Sequence, residues 1–309
     1  MDKSEILVIT GPTATGKTSV SIQLAKRLNG EIISADSMQI YRGMNIGTAK
    51  PAAAEQDGVP HHMLDVADPK KSYSVARYVE DAAACVADVQ ARGRLPILIG
   101  GTGLYIDSLL TGRDFAPIPS DRALRNALSA RFDVDGGAAL WQELQQADPG
   151  AATRIHANDK KRLIRALEVY QLTGETITAH NLRTQQLPPR YTALKFALTT
   201  KSRDTLYRRI DARVDAMLQA GLVDEVKILL QQNIPPAVAA MQAIGYKELV
   251  RVITNGASLA DAIEDIKRES RRYAKRQLSW LRRDPAVHWV VADTVGDAIN
   301  EIETIIVSL

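Results

Sequence analysis

A single cysteine, Cys85, stands in 309 residues, so no internal disulfide can form and a reducing cytosol is the natural setting. It lies in an Ala-rich helical run and reads as core packing. No apolar run approaches the roughly 20 residues that span a bilayer, so no membrane is expected. The first ten residues, Met1 to Thr10, lack a cationic stretch ahead of a cleavable apolar one. The five histidines (His61, His62, His156, His180, His288) show no metal-ligand spacing, which argues against a structural zinc site. There is no internal repeat and no low-complexity tract.

What is present is an ordinary globular composition, 45% hydrophobic and 24% charged, at a length that suits one large domain with an insertion, or two domains. Net charge is only +3, but it is uneven. Residues 1–110 hold 11 Lys and Arg against 12 Asp and Glu, residues 153–215 hold 13 against 6, and residues 267–283 hold 8 against 1. Two basic clusters of this kind are what a polyphosphate partner requires, although two solvated helix faces would give the same counts.

The opening alternates strand and helix. Glu5–Thr10 (EILVIT), Glu31–Asp36 (EIISAD) and Leu95–Gly100 (LPILIG) read as buried strands. Helices are predicted from Lys17 to Leu28, Ser74 to Arg92 and Leu104 to Leu110. That alternation implies an α/β fold, a parallel sheet flanked by helices on both faces. From about Phe115 the character changes. APIPSD reads as a linker, and helices are predicted over Asp121–Arg131, Ala138–Ala147 and Lys160–Leu172, with Gln185–Arg190 closing a helical insertion. Ala193–Thr199 returns as a strand. Helices follow over Asp204–Leu218, Val223–Gln231 and Ile263–Leu281, then a last strand (Ala286–Val291) and helix (Val295–Ile306). The domains expected are therefore a core, 1–114 with 192–309, and an all-helical insertion, 115–191.

Between the first strand and first helix, Gly11-Pro12-Thr13-Ala14-Thr15-Gly16-Lys17-Thr18 fits G-x-x-x-x-G-K-S/T, the P-loop pattern in its required context. Its amides converge on an anion, Lys17 supplies positive charge, Thr18 is suited to ligate Mg²⁺, and the helix N-terminus adds its dipole. A P-loop names a diphosphate rather than a reaction. ATPases and GTPases usually carry an acid that holds the metal, yet the third strand ends in Gly100-Gly101-Thr102-Gly103. The acid is Asp36, at the end of the second strand. Ligands in open α/β sheets sit beyond the carboxyl ends of strands, so Asp36 and Thr102 should both face the P-loop. Such a set suggests a diphosphate used as leaving group.

These residues resemble the tRNA dimethylallyltransferase (isopentenyltransferase) family along nearly the whole chain. The blocks are GPTATGKT at Gly11–Thr18, ADSMQIYRGMNIGTAKP at Ala35–Pro51, PHHMLDVADP at Pro60–Pro69, GGTGLYI at Gly100–Ile106, RIHANDKKRLIRALEVYQLTGE at Arg154–Glu175, AIGYKEL at Ala243–Leu249 and KRQLSWLRR at Lys275–Arg283. Two departures stand out: Ala157 where the family often has Pro, and no zinc-finger extension after the core, which suggests the bacterial form. The resemblance implies a P-loop kinase-like core with a helical insertion, the two gripping the anticodon stem-loop of tRNA. It implies transfer of a dimethylallyl group from dimethylallyl diphosphate to the exocyclic amine of the flipped adenine at tRNA position 37, by a cytoplasmic monomer. Residues Thr13–Thr18 would hold the diphosphate with Mg²⁺, Asp36 would be the general base, Thr102 would bond the bridging oxygen, and Arg213 would clamp the diphosphate. The tRNA would be touched by Asp36, Ser37, Met38, Gln39 and Thr102. It would also be touched by Lys160, Lys161, Arg162, Leu163, Ile164 and Arg165, by Gln242, Ala243, Ile244, Gly245, Tyr246 and Lys247, and by Lys275 and Arg276.

Blander and rival readings stand beside these. The lesser readings are that Asp36 caps the turn that follows it, that Arg208 or Arg209 takes the place of Arg213, and that Lys275 and Arg276 are ordinary surface charge. A small-molecule kinase shares the P-loop and sheet but is disfavoured by the missing acid after the third strand. A free-adenylate isopentenyltransferase shares the chemistry but has no use for the basic clusters.

Overall fold

Six parallel strands form the sheet, in the order β3-β2-β4-β1-β5-β6. The computed structural model of the chain describes residues 5–111, 121–185 and 188–308. Central β1 (Glu5–Thr10) lies between β4 (Leu95–Ile99) and β5 (Thr192–Thr199), with Leu7 opposite Ile97 and Leu194. On one side β2 (Gly30–Ser34) pairs with β4, and the two-residue β3 (His61–His62) forms the edge. On the other, β6 (Val287–Val291) pairs with β5. Strands buried on both faces must be apolar throughout rather than alternating, which is why EILVIT and LPILI read as strands.

The helices are α1 (Lys17–Arg27), α2 (Val75–Ala91), α3 (Gly103–Leu110), α4 (Arg122–Asp135), α5 (Gly137–Ala147), α6 (Pro149–Ala152), α7 (Lys160–Thr173), α8 (Ile177–Gln185), α9 (Arg203–Gln219), α10 (Leu222–Gln231), α11 (Tyr246–Asn255), α12 (Leu259–Leu281) and α13 (Val295–Ser308), with a 3₁₀ turn at Ala240–Gln242. Side-chain caps mark several starts: Ser74, Asp121, Ser202 and Ser258 each accept a first-turn amide, and such caps are each worth about 1 kcal/mol. None of these helices is long and apolar enough to cross a membrane.

The chain forms two compact units, Met1–Leu110 with Tyr191–Leu309, and Thr111–Arg190. In the first, α1 and α13 pack on the sheet around Leu24, Ile97 and Ile302. A second cluster joins Ile40, Tyr41 and Met44 to α9, α10 and α11 through Val214, Val226 and Leu249. The helical unit has its own core of Leu128, Leu140, Leu144, Leu163 and Leu167. Of the APIPSD linker expected here, residues 116–120 lie outside the described residues and Asp121 is the N-cap of α4.

Four elements differ from expectation for identifiable reasons. The second strand stops at Ser34 because Asp36 turns the chain. Helix α12 starts at Leu259, where Ser258 caps it, rather than at Ile263. Helices α8 and α11 went unforeseen: α8 buries no apolar stripe, and α11 starts after Gly245, which has no side chain to signal a cap.

Candidate active site

The tips of β1, β2 and β4 converge on a cavity of about 570 Å³, within the range of small-molecule sites. The loop after β1 needs glycine at Gly11: its φ is +136°, and a Cβ there would sit 2.3 Å from the Leu198 carbonyl oxygen. Residues Thr13 to Thr18 line the cavity. Lys17 Nζ donates to the Pro12 carbonyl at 2.8 Å, and the Thr13 amide donates to Gln277 Oε1 at 3.0 Å. The Thr18 hydroxyl has no hydrogen-bond partner among the described residues.

Beyond β2, Asp36 also lines the cavity. Its Oδ1 accepts the amides of Met38 at 2.8 Å and Gln39 at 3.3 Å. That leaves Oδ2 without a hydrogen bond among the described residues. Asp36 therefore does cap the following turn, yet with only one oxygen. The β2 and β4 tips are joined by Ala35 N–H to Ile99 O and Thr102 N–H to Ala35 O, which brings Thr102 beside Ser37. The Thr102 hydroxyl oxygen accepts the Ser37 amide at 3.2 Å.

Two cations face this acid. Burial, and then the nearby Arg213 guanidinium, push the Lys17 ammonium down to about 7, with Asp36 opposing the shift. Burial likewise lowers Arg213, again opposed by Asp36. Arg213 lies on the α9 face that lines the cavity with Ile210, Val214 and Met217. Arg209 instead donates to the Asp293 carbonyl and Arg208 to the Thr205 hydroxyl, so of these three α9 arginines Arg213 is the one that lines the cavity. From α12, Tyr273 and Gln277 complete the wall; burial, then the charge of Asp36, raise the Tyr273 hydroxyl to about 12. Among the described residues, no three His, Cys, Asp or Glu side chains gather as metal ligands.

The IPP transferase family model matches residues 39–284, and the isopentenyl transferase model matches residues 4–72. The tRNA dimethylallyltransferase of Desulforudis audaxviator is 46% identical over 304 residues, 98% of this chain and 97% of that protein. The chain belongs to the IPP transferase family. Within the family, the tRNA dimethylallyltransferase of Bacillus subtilis is 46% identical over 287 residues, 93% of this chain and 90% of its own. The crystal structure of the full-length tRNA isopentenylpyrophosphate transferase of Bacillus halodurans superposes with a TM-score of 0.73 at 44% identity, covering 99% of this chain and 96% of that one. A eukaryotic dimethylallyltransferase acting on tRNA superposes with a TM-score of 0.83 at 31% identity, covering 99% and 78%.

Several residues of the family blocks do not present side chains as expected. The side chains of Leu163 and Ile164 on α7 are buried in the helical unit's core. Their neighbours Lys161 and Arg162 are exposed, and Arg162 pairs with Asp159, Lys160 with Asp133 and Arg165 with Glu168. Tyr246 is fully buried, and its hydroxyl donates to Glu225 at 2.6 Å; Glu225 in turn accepts the amides of Asn45, Ile46 and Gly47. Tyr246 thus supports the loop that walls the cavity. Gln242, Ala243, Ile244, Gly245 and Lys247 do line the cavity, as do Ser37, Met38 and Gln39, but the Gln39 amide is already bonded to Ser34, Thr48 and Ala49. Arg276 lines the cavity, whereas Lys275 is exposed elsewhere on α12.

Sequence reasoning missed Gln277, Tyr273 and His61. Gln277 and Tyr273 sit one helical turn apart on α12, beside basic residues that drew attention by charge. His61 lines the cavity with its Nδ1 on the Val59 carbonyl at 2.8 Å and its Nε2 buried without a partner. A histidine whose Nδ1 faces a carbonyl keeps an acceptor on Nε2, which here is buried and unpaired among the described residues.

Proposed function

We infer that this enzyme transfers the dimethylallyl group of dimethylallyl diphosphate to the N6 amine of the adenosine at tRNA position 37, 3′ of the anticodon, releasing diphosphate. The observation that carries the reading is the free Oδ2 of Asp36, which shares one cavity with Lys17 and Arg213. A base beside a pair of anion-binding cations suits an acceptor that must lose a proton while a diphosphate departs. The names of the family's curated relatives point the same way.

The P-loop and Lys17 hold the diphosphate, and Arg213 faces it from α9. The apolar side chains of Val214, Met217, Leu222 and Ile244 line the same cavity and suit the prenyl chain. As the carbon–oxygen bond breaks and the carbon–nitrogen bond forms, positive charge grows on N6, and its proton passes to Asp36 Oδ2. The Thr102 hydroxyl, whose oxygen accepts the Ser37 amide and whose proton points to the Ser37 hydroxyl at 3.4 Å, turns to donate to the bridging oxygen as negative charge develops there. The unpartnered Thr18 hydroxyl fits a Mg²⁺ ion held mostly by phosphate oxygens and water; when bound, that ion supplies charge neutralisation of the leaving diphosphate. Lys161, Lys275 and Arg276, which have no ion pair among the described residues, are among the cations available to tRNA phosphates.

The test supplies labelled dimethylallyl diphosphate with bulk tRNA or AMP, and γ-labelled ATP separately. Label is expected in tRNA alone. Transfer to AMP but not tRNA, or phosphoryl transfer from ATP, overturns the reading.

A further inference from the structure

Gln277, on α12, is buried, 7% exposed. Its amide spans two backbone groups remote in sequence. The Oε1 accepts the Thr13 amide at 3.0 Å, and the Nε2 donates to the Gly101 carbonyl at 3.0 Å. Thr13 begins the cavity-lining part of the P-loop, and Gly101 is the β4 tip just before Thr102. Both partners are main-chain groups of unambiguous polarity, so the direction of the amide is set.

Few side chains can make this bridge. An amide carries donor and acceptor on one planar group, a carboxylate has only acceptors, and Lys or Arg only donors. Asparagine is one methylene short. The approach also accounts for Gly101. Its φ lies outside the left-handed region, so backbone conformation does not demand glycine there; a Cβ, however, would lie 2.0 Å from Gln277 Nε2. The second glycine of the GGTG run is thus explained by space for the amide. One turn earlier on the same face, the Tyr273 hydroxyl neighbours both Thr102 and Gln277.

We propose that Gln277 is a positioning residue that fastens the P-loop to the β4 tip and so sets the separation between the diphosphate cradle and Thr102. This deepens the reaction assigned above and rests on it for the role of Thr102. The Thr13 amide is committed to Gln277, so the amides that meet the diphosphate are those from Ala14 to Thr18. Loss of the bridge lets the loop relax away from β4, which weakens diphosphate binding and misaligns the leaving oxygen together.

The full chain is compared as Gln277→Ala, Gly101→Ala and the double variant, by calorimetric titration with inorganic diphosphate and Mg²⁺ and by single-turnover transfer to tRNA. Each single change should raise the diphosphate Kd about tenfold and slow transfer about tenfold, the scale of one buried hydrogen bond. Affinity for tRNA should barely move, and the Tm should fall by no more than several degrees. The double variant should be no worse than either single one, because alanine at 277 clears the space the new methyl at 101 needs. Diphosphate affinity unchanged in Gln277→Ala, or two losses that multiply to about a hundredfold, overturns the proposal. A wild-type enzyme that binds diphosphate but prenylates no tRNA refutes the reaction instead, and the titrations still decide the bridge.

Discussion

Replacing Asp36 by asparagine separates proton acceptance from everything else the residue does. Its Oδ1 holds the Met38 and Gln39 amides, and asparagine keeps that oxygen while putting an NH₂ where Oδ2 stood. Asp and Asn are near-equal as caps, so stability should change by no more than a few tenths of a kcal/mol. Turnover should fall roughly 10²–10⁴-fold, the usual contribution of a general base, or about 2.7–5.5 kcal/mol of barrier. One side effect must be kept apart. Asp36 holds up the pKa of Lys17 against burial and Arg213, so the asparagine variant loses the Lys17 charge at lower pH than the parent. Single-turnover prenylation of tRNA is therefore measured near pH 6.5 and again near pH 8, with saturating donor. The loss at the lower pH reports the base, and any increment at the higher pH reports Lys17. A loss below about tenfold at pH 6.5 would mean that water or another group takes the proton, and Asp36 would then only position the turn.

Three further outcomes are expected. Lys17 has a pKa of about 7 in the free enzyme, and an anion beside it must raise that value. Diphosphate binding therefore takes up a proton, and affinity is fully present below about pH 7 and falls above it by up to tenfold per unit. Calorimetry in buffers of different ionisation enthalpy detects the uptake, Lys17→Ala should abolish donor binding with tRNA affinity nearly intact, and a flat pH profile in the parent refutes the argument. Neutralising Lys275 and Arg276 together should weaken tRNA binding but not diphosphate binding, lowering the log–log salt slope by about 0.7–0.9 for each phosphate no longer neutralised; an unchanged slope places both on an idle surface. Leu163→Ala should cost about 2–5 kcal/mol through a core cavity, whereas Lys161→Ala should leave stability within about 0.5 kcal/mol and weaken tRNA binding, as thermal denaturation and filter binding will report.

What was legible in the sequence was local. Strand β1 runs over Glu5–Thr10 as its apolar run implied, and the P-loop motif lies between it and α1. Asp36 and Thr102 follow from the rule that ligands collect at the carboxyl ends of strands, because they stand two and three residues beyond such ends. Long-range pairing was not legible. Nothing in the neighbourhood of residue 277 announces a bond to residue 13, and Glu225 gives no local sign that it caps the amides of residues 45–47.

Contiguous blocks misled for a geometric reason. Six successive residues on a helix point all the way round it, so Lys160 to Arg165 cannot all meet one partner, and Leu163 and Ile164 turn inward. Window charge misled in the same way. Of the eight basic residues in 267–283, Lys267 and Arg271 pair with Asp215 and Asp211 of α9, and Arg268 and Arg272 with acids on their own helix. Lys275, Arg276, Arg282 and Arg283 have no ion pair among the described residues, and they lie at the end of the stretch that holds Gln277. The cations left over for a polyanion are thus set by which acids α9 brings alongside α12. That is a fact of tertiary packing, and a count along the chain cannot contain it.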